Sequence, residues 1–93
     1  MIAIPQSIVC ITGCSRGLGR AMALEFARLD WKVTGCARTA DSIATLAEEL
    51  GDPHIFQVVD VTEDADMHTF AKTVIGTLGA PDLLVNNAAL MNA

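Results

Sequence analysis

The sequence contains no tyrosine. Cations are scarce too: six Lys and Arg stand against eleven Asp and Glu, for a formal charge of −5. Those six are scattered and form no basic stripe. Phosphate backbones call for clustered Lys and Arg, so nucleic acid is excluded as a partner. Cysteine is limited to Cys10, Cys14 and Cys36. An odd count without a C-x-x-C pair excludes a disulfide framework and reads as cytosolic thiols. His54 and His68 lie outside any cysteine ligand spacing, so no metal site is expected. No apolar run approaches the roughly twenty residues of a membrane span. Residues 1–5 are apolar, but they lack a basic residue, and the stretch is broken at Pro5 and Gln6, unlike a signal peptide. A cytoplasmic protein without membrane contact is the expectation.

What is present points to a folded domain. Hydrophobic residues make up 52% and charged residues only 18%, which excludes an acidic disordered tail. Ninety-three residues allow one domain, spanning 1–93. The chain alternates short β-like runs with helical ones. Residues 7–12 form a continuous β-branched apolar run, as a strand buried on both faces would. Leu18, Ala21, Met22, Leu24, Phe26 and Leu29 then mark a mostly apolar helix ending near Asp30. Residues 32–37 read as a second strand. Asp41 or Thr39 can cap the next helix, whose Ile43, Leu46, Ala47 and Leu50 share one face, and Gly51 with Pro53 stops it. Residues 54–59 form a third strand. Thr62 can cap a third helix with acids in its first turn and Met67, Phe70, Ala71, Val74 and Leu78 on its buried face. Residues 82–86 are a fourth strand. Trp31 is expected to shield the edge of the second strand, and His68 to lie on an exposed face. Single-helix connections make the strands parallel.

The most informative stretch lies between the first strand and the first helix: Thr12-Gly13-Cys14-Ser15-Arg16-Gly17-Leu18-Gly19. Helix N-termini carry unpaired N–H groups and partial positive charge, which attract phosphate. Glycine lets the backbone turn tightly and approach a pyrophosphate with no Cβ in the way. Gly13, Gly17 and Gly19 can fill those roles, with Ser15 adding a hydroxyl. A tight turn with no ligand would use the same residues. Cys14 is either a small loop filler or a thiol made oxidisable by the helix end.

The spacing is G-x-x-x-G-x-G, not the commoner G-x-G-x-x-G. With Thr12 before it, this resembles the glycine motif of the short-chain dehydrogenase/reductase family. Arg38 after the second strand, Asp60-Val61 after the third and Asn86-Asn87-Ala88-Ala89 after the fourth fall in that family's order. The resemblance covers nearly the whole chain. It implies an α/β protein: a partial Rossmann fold, β-α-β-α-β-α-β, with helices on both faces of a parallel sheet, ending after the fourth strand. It also implies an oxidoreductase that moves hydride between a nicotinamide and a carbonyl or alcohol. All four motifs sit at carboxyl ends of strands, where open parallel sheets bind ligands.

Family members that use NAD carry an acid at the end of the second strand. Here Ala37 and Arg38 stand there. Arg38 can pair with a 2′-phosphate, Arg16 can reach it from the glycine loop, and Thr39 can donate a hydroxyl. NADP(H) is therefore expected over NAD(H). By resemblance, Asp60 accepts from the adenine amino group and Val61 packs on the ring; a turn or cap role for Asp60 fits equally well. Asn87 would run along the ribose, Leu18 belongs to the same binding set, and Ala88 and Ala89 would line the cofactor channel. Ala89 departs from the family's usual glycine, and Asp30 stands where a helix-ending glycine is common.

The family's proton donor is a tyrosine with a lysine four residues later, aided by a serine and an asparagine. With no tyrosine here, no catalytic residue can be carried over. On this reading the chain is the cofactor-binding half of a longer protein, itself expected to be a homo-oligomer acting on a small carbonyl or alcohol. The alternatives are a non-catalytic dinucleotide-binding module and an inactive remnant.

Overall fold

The computed structural model describes residues 7–87. Seven elements follow one another: β1 (Ile8–Thr12), α1 (Gly17–Arg28), β2 (Lys32–Ala37), α2 (Ala40–Leu50), β3 (Ile55–Val58), α3 (Asp64–Thr77) and β4 (Leu83–Asn86). The strands form one sheet in the order β3-β2-β1-β4, and every pairing is parallel. The chain thus builds outward from β1 to β3, then returns to place β4 on the other side of β1. That reversal puts a switch point between β1 and β4, the usual place for a ligand crevice. The architecture is a partial Rossmann fold.

Side-chain alternation explains the two layers. In β1, Val9 and Ile11 join Ala23 of α1 and Ile43 and Leu46 of α2 in one cluster. Cys10, on the opposite face, joins Cys36, Val59, and Phe70 and Val74 of α3. Both faces of β1 are covered, so all five of its residues are buried. Among the described residues, no helix is long and apolar enough to cross a membrane.

Several local details differ from the sequence reading. Thr62 does not cap α3, which is preceded by Glu63 with no side-chain cap bond. The Thr62 hydroxyl is instead drawn to Asp60 Oδ1 at 2.6 Å. Ala71 is exposed, and α3 buries only Phe70 and Val74 fully. In α1 only the small Gly19 and Ala23 are fully buried; Met22, Leu24 and Phe26 pack partly against the core, while Leu18 and the C-cap Leu29 face outward. Thr39 does precede α2, but its side chain makes no cap bond. Trp31 does not shield an edge, since β2 lies inside the sheet.

The true role of Trp31 is at the end of α1. Trp31 N–H donates to Phe26 O and Asp30 N–H to Ala27 O, the double bond of a Schellman ending. The rings of Phe26 and Trp31 meet edge to face, with centroids 4.9 Å apart, supplying that ending's apolar contact. Asp30 sits at the left-handed position with φ 68. Asp30→Gly should therefore stabilise the fold by about 0.5–1 kcal/mol: the left-handed penalty, less the added freedom of glycine when unfolded. Denaturant midpoints check this, and a lower midpoint would contradict it.

At the same end of the sheet, before β3, His54 Nδ1 accepts the Val33 N–H at 3.0 Å. Partial burial holds the imidazole below its usual pKa of 6.5, and Nδ1 can accept only while unprotonated. The unfolded chain therefore binds the extra proton first. This contribution is complete above pH 6.5 and is lost as pH falls from there through the folded value. His54→Asn keeps an acceptor without a titration. Its unfolding free energy should vary less between mildly alkaline and mildly acidic buffer than that of the unaltered chain; equal slopes would refute the role.

Candidate cofactor-binding site

The carboxyl ends of all four strands share one end of the sheet, and the chain from β1 turns there into α1. Gly13 takes φ 68 and Gly17 takes φ 59, so both occupy the left-handed region that glycine alone adopts cheaply. A Cβ on Gly17 would meet nothing within 4 Å, so the loop faces open space there. Gly19 is different. A Cβ there would overlap the Gly13 carbonyl oxygen and stand 2.6 Å from Asn87 Nδ2. Only glycine lets α1 begin this close to the end of β1.

The loop is fastened on two sides. Toward β2, Cys36 O accepts the N–H groups of Gly13 at 2.8 Å and Cys14 at 3.3 Å. Toward β4, the Thr12 hydroxyl accepts the Asn87 N–H at 2.9 Å and lies 3.2 Å from Asn86 Oδ1. Asn87 Nδ2 donates to Gly13 O at 3.1 Å. The motif after the fourth strand therefore reaches back and holds the motif after the first.

Electrostatics single out the start of α1. Arg16 precedes it, extended and exposed, with no side-chain cap, and its first turn holds no acid. By contrast α2 has Asp41 and α3 has Asp64 and Asp66 in their first turns. The start of α1 thus carries no anionic group or side-chain cap of its own. Leu18, 68% exposed, offers an apolar surface beside them.

The remaining residues divide. Arg38 and Thr39 are exposed just after β2. Asp60 Oδ1 accepts from both the hydroxyl and the amide of Thr62, so the turn role is present. The Thr62 hydroxyl, then its amide, hold the Asp60 carboxyl below its usual range, with a smaller contribution from Arg38. Arg38 and Asp60 therefore share one neighbourhood across β2 and β3. Val61 is half-buried against the α3-side cluster. Ser15 is nearly buried in the turn. Cys14 is fully buried, as a small loop filler would be, and burial pushes its thiol up to about 12. Ala88 and Ala89 lie outside the described residues.

A family model described as short chain dehydrogenase matches residues 7–93. The chain belongs to the short-chain dehydrogenases. It is 41% identical over 86 residues to an NADPH-dependent pterin aldehyde reductase of Arabidopsis thaliana, covering 90% of this chain and 36% of the relative. A short chain dehydrogenase/reductase from Saccharomyces cerevisiae has the same fold, with TM-score 0.85 and 31% identity over 92% of this chain and 35% of that one. Actinorhodin polyketide ketoreductase, crystallised with NADPH, superposes with TM-score 0.84 and 26% identity over 90% of this chain and 33% of that one. The chain spans about a third of the length of these proteins.

Gly35 belongs to no motif in the sequence, yet the site depends on it. It lies inside β2, beneath the glycine loop, and a Cβ there would stand 2.6 Å from Cys14 Sγ. The available signal was a glycine interrupting a β-branched strand, which often marks a close approach.

Proposed function

We propose that this chain forms the NADP(H)-binding part of an oxidoreductase that transfers hydride between a nicotinamide and a small carbonyl or alcohol. The observation that carries the preference is the end of β2: an exposed arginine, Arg38, with no carboxylate at the strand's last residue, Ala37. An acid there would repel a 2′-phosphate, whereas a guanidinium pairs with it in a forked, charge-assisted contact. Gly17's open approach and the uncapped start of α1 fit a pyrophosphate. The similar pterin aldehyde reductase is NADPH-dependent and the ketoreductase was crystallised with NADPH, which supports the same choice.

We assign the roles by the family resemblance. The loop from Gly13 to Gly19, with Ser15 and Leu18, holds the pyrophosphate. Arg16 and Arg38, with Thr39, hold the 2′-phosphate. Asp60 and Val61 would border the adenine and Asn87 the ribose, while Ala88 and Ala89, outside the described residues, are assigned to the channel by the resemblance alone. The bound nicotinamide supplies the hydride chemistry. No residue here matches the family's tyrosine, so we assign no proton donor within these 93 residues. The chain assayed alone should therefore show no turnover. As part of the complete protein it would act in the cytoplasm within a homo-oligomer.

Arg38→Glu tests the cofactor choice. Losing one charge-assisted contact of about 1.5–3 kcal/mol weakens NADPH binding roughly ten- to a hundredfold. NADH should be spared or improved, so the preference reverses. Fluorescence titration of both cofactors reads this directly. An unaltered chain that prefers NADH, or an Arg38→Glu chain with unchanged preference, would overturn the reading.

A further inference from the structure

We infer that Gly35 and Cys14 are a size-matched pair that sets the height of the glycine loop above β2, and with it the position of the amides offered to the cofactor phosphates. The cofactor half of this statement rests on the function proposed above. Gly35 pairs in register with Ile11 of β1 and is buried. A Cβ on it would stand 2.6 Å from Cys14 Sγ and 3.1 Å from Cys14 Cβ. The Cys14 side chain therefore occupies the room that the missing Cβ leaves. This explains how a loop residue becomes fully buried.

Hydrogen bonding locks the same contact. Cys36 O lies 3.7 Å from Cys14 Sγ and also accepts the amides of Gly13 and Cys14. Burial, with the neighbouring Cys36 and Cys10 thiols adding to it, keeps the Cys14 thiol protonated, so it donates. One carbonyl thus gathers three donors from two consecutive loop residues. Two residues later the chain reaches Arg16 and then α1. A bulkier side chain at position 14 has nowhere to go but upward, and it carries the loop with it.

The test is made at Cys14, because a methyl on Gly35 would also crowd Ile11 O at 2.7 Å and disturb the strand itself. Cys14→Val branches at Cβ and overfills the notch; Cys14→Ser keeps the donor at smaller size; Cys14→Ala empties the notch. Amide hydrogen exchange at Gly13 is measured against Val9 and Val33 as internal references, alongside NADPH titration. An overpacking cost of about 1.4 kcal/mol predicts roughly tenfold faster exchange at Gly13 in Cys14→Val, with the references unmoved, and a similar loss in NADPH affinity. Cys14→Ser should restore both nearly to the original values. Unchanged exchange at Gly13 in Cys14→Val overturns the inference. If that chain does not fold, Cys14→Ala decides: faster exchange at Gly13 than in Cys14→Ser supports the pair, and equal exchange in both overturns it. Should the exchange pattern hold while the unaltered chain binds no NADPH, the pair stands and the proposed cofactor is wrong.

Discussion

Gly19→Ala is expected to destabilise the chain by about 1–3 kcal/mol and to abolish measurable NADP(H) binding. The new methyl would overlap the Gly13 carbonyl oxygen and press on Asn87 Nδ2. The first of these is backbone and cannot rotate away. Relief requires α1 to move off the end of β1, which breaks the 3.1 Å bond from Asn87 Nδ2 to Gly13 O. That bond joins the β1 and β4 motifs, so the damage spreads across the whole proposed site. Gly76→Ala is the matched control. Gly76 lies in α3, and a Cβ there meets nothing within 4 Å. Alanine is the better helix former by about 1 kcal/mol, so that change should be neutral or stabilising. Urea unfolding and NADPH titration of both variants provide the measurement. A Gly19→Ala chain as stable as the original would show that the close approach does not govern the loop.

The second large effect concerns β4. Leu83 is 40% and Leu84 64% exposed on this edge strand. Natural edges are guarded by charge, proline or a bulge. Within Leu83–Asn86 there is no such guard. The nearest acid, Asp82, is engaged at the strand's start, where its carboxylate accepts the Ile8 N–H at 2.8 Å. The 93-residue chain should therefore associate with itself, and its sedimentation mass should rise with concentration. Leu84→Lys places a charge on the exposed edge without touching the core, so stability should change by no more than about 0.5 kcal/mol while the monomer returns. A concentration-independent monomer in the unaltered chain would refute this. The family resemblance implies further strands beside β4 in a longer protein, where the same leucines would be covered.

Much of the fold is legible in the residues themselves. Alternating β-branched runs and helical periodicity mark seven elements in order, because the two periods leave different traces on one sequence. Ile43 and Leu46 fall on the apolar face expected of α2 and are buried. The parallel pairing follows from the length of each connection. Glycine spacing between a strand and a helix locates the loop in the sequence, and Gly13 and Gly17 do take the positive φ that glycine adopts most cheaply.

Other features depend on contacts between residues that no local pattern connects. Thr62 has the type and position of a helix cap, yet its hydroxyl meets Asp60 instead. Trp31 departs from its expected role because β2 lies inside the sheet and because the ring belongs to the end of α1. Ala71 falls on the apolar stripe but is exposed, since α3 touches the sheet along a narrow line through Phe70 and Val74.

The sequence by itself determined the order of elements, the strand ends that carry polar motifs, and the absence of tyrosine. These are local properties of composition and period. Tertiary structure alone decided that Asn87 grips Gly13, that Gly19 has no room for a methyl, and that Cys14 fills a notch left by Gly35. The first of these joins residues 74 positions apart. Proximity of that kind exists only once parallel strands have been laid side by side.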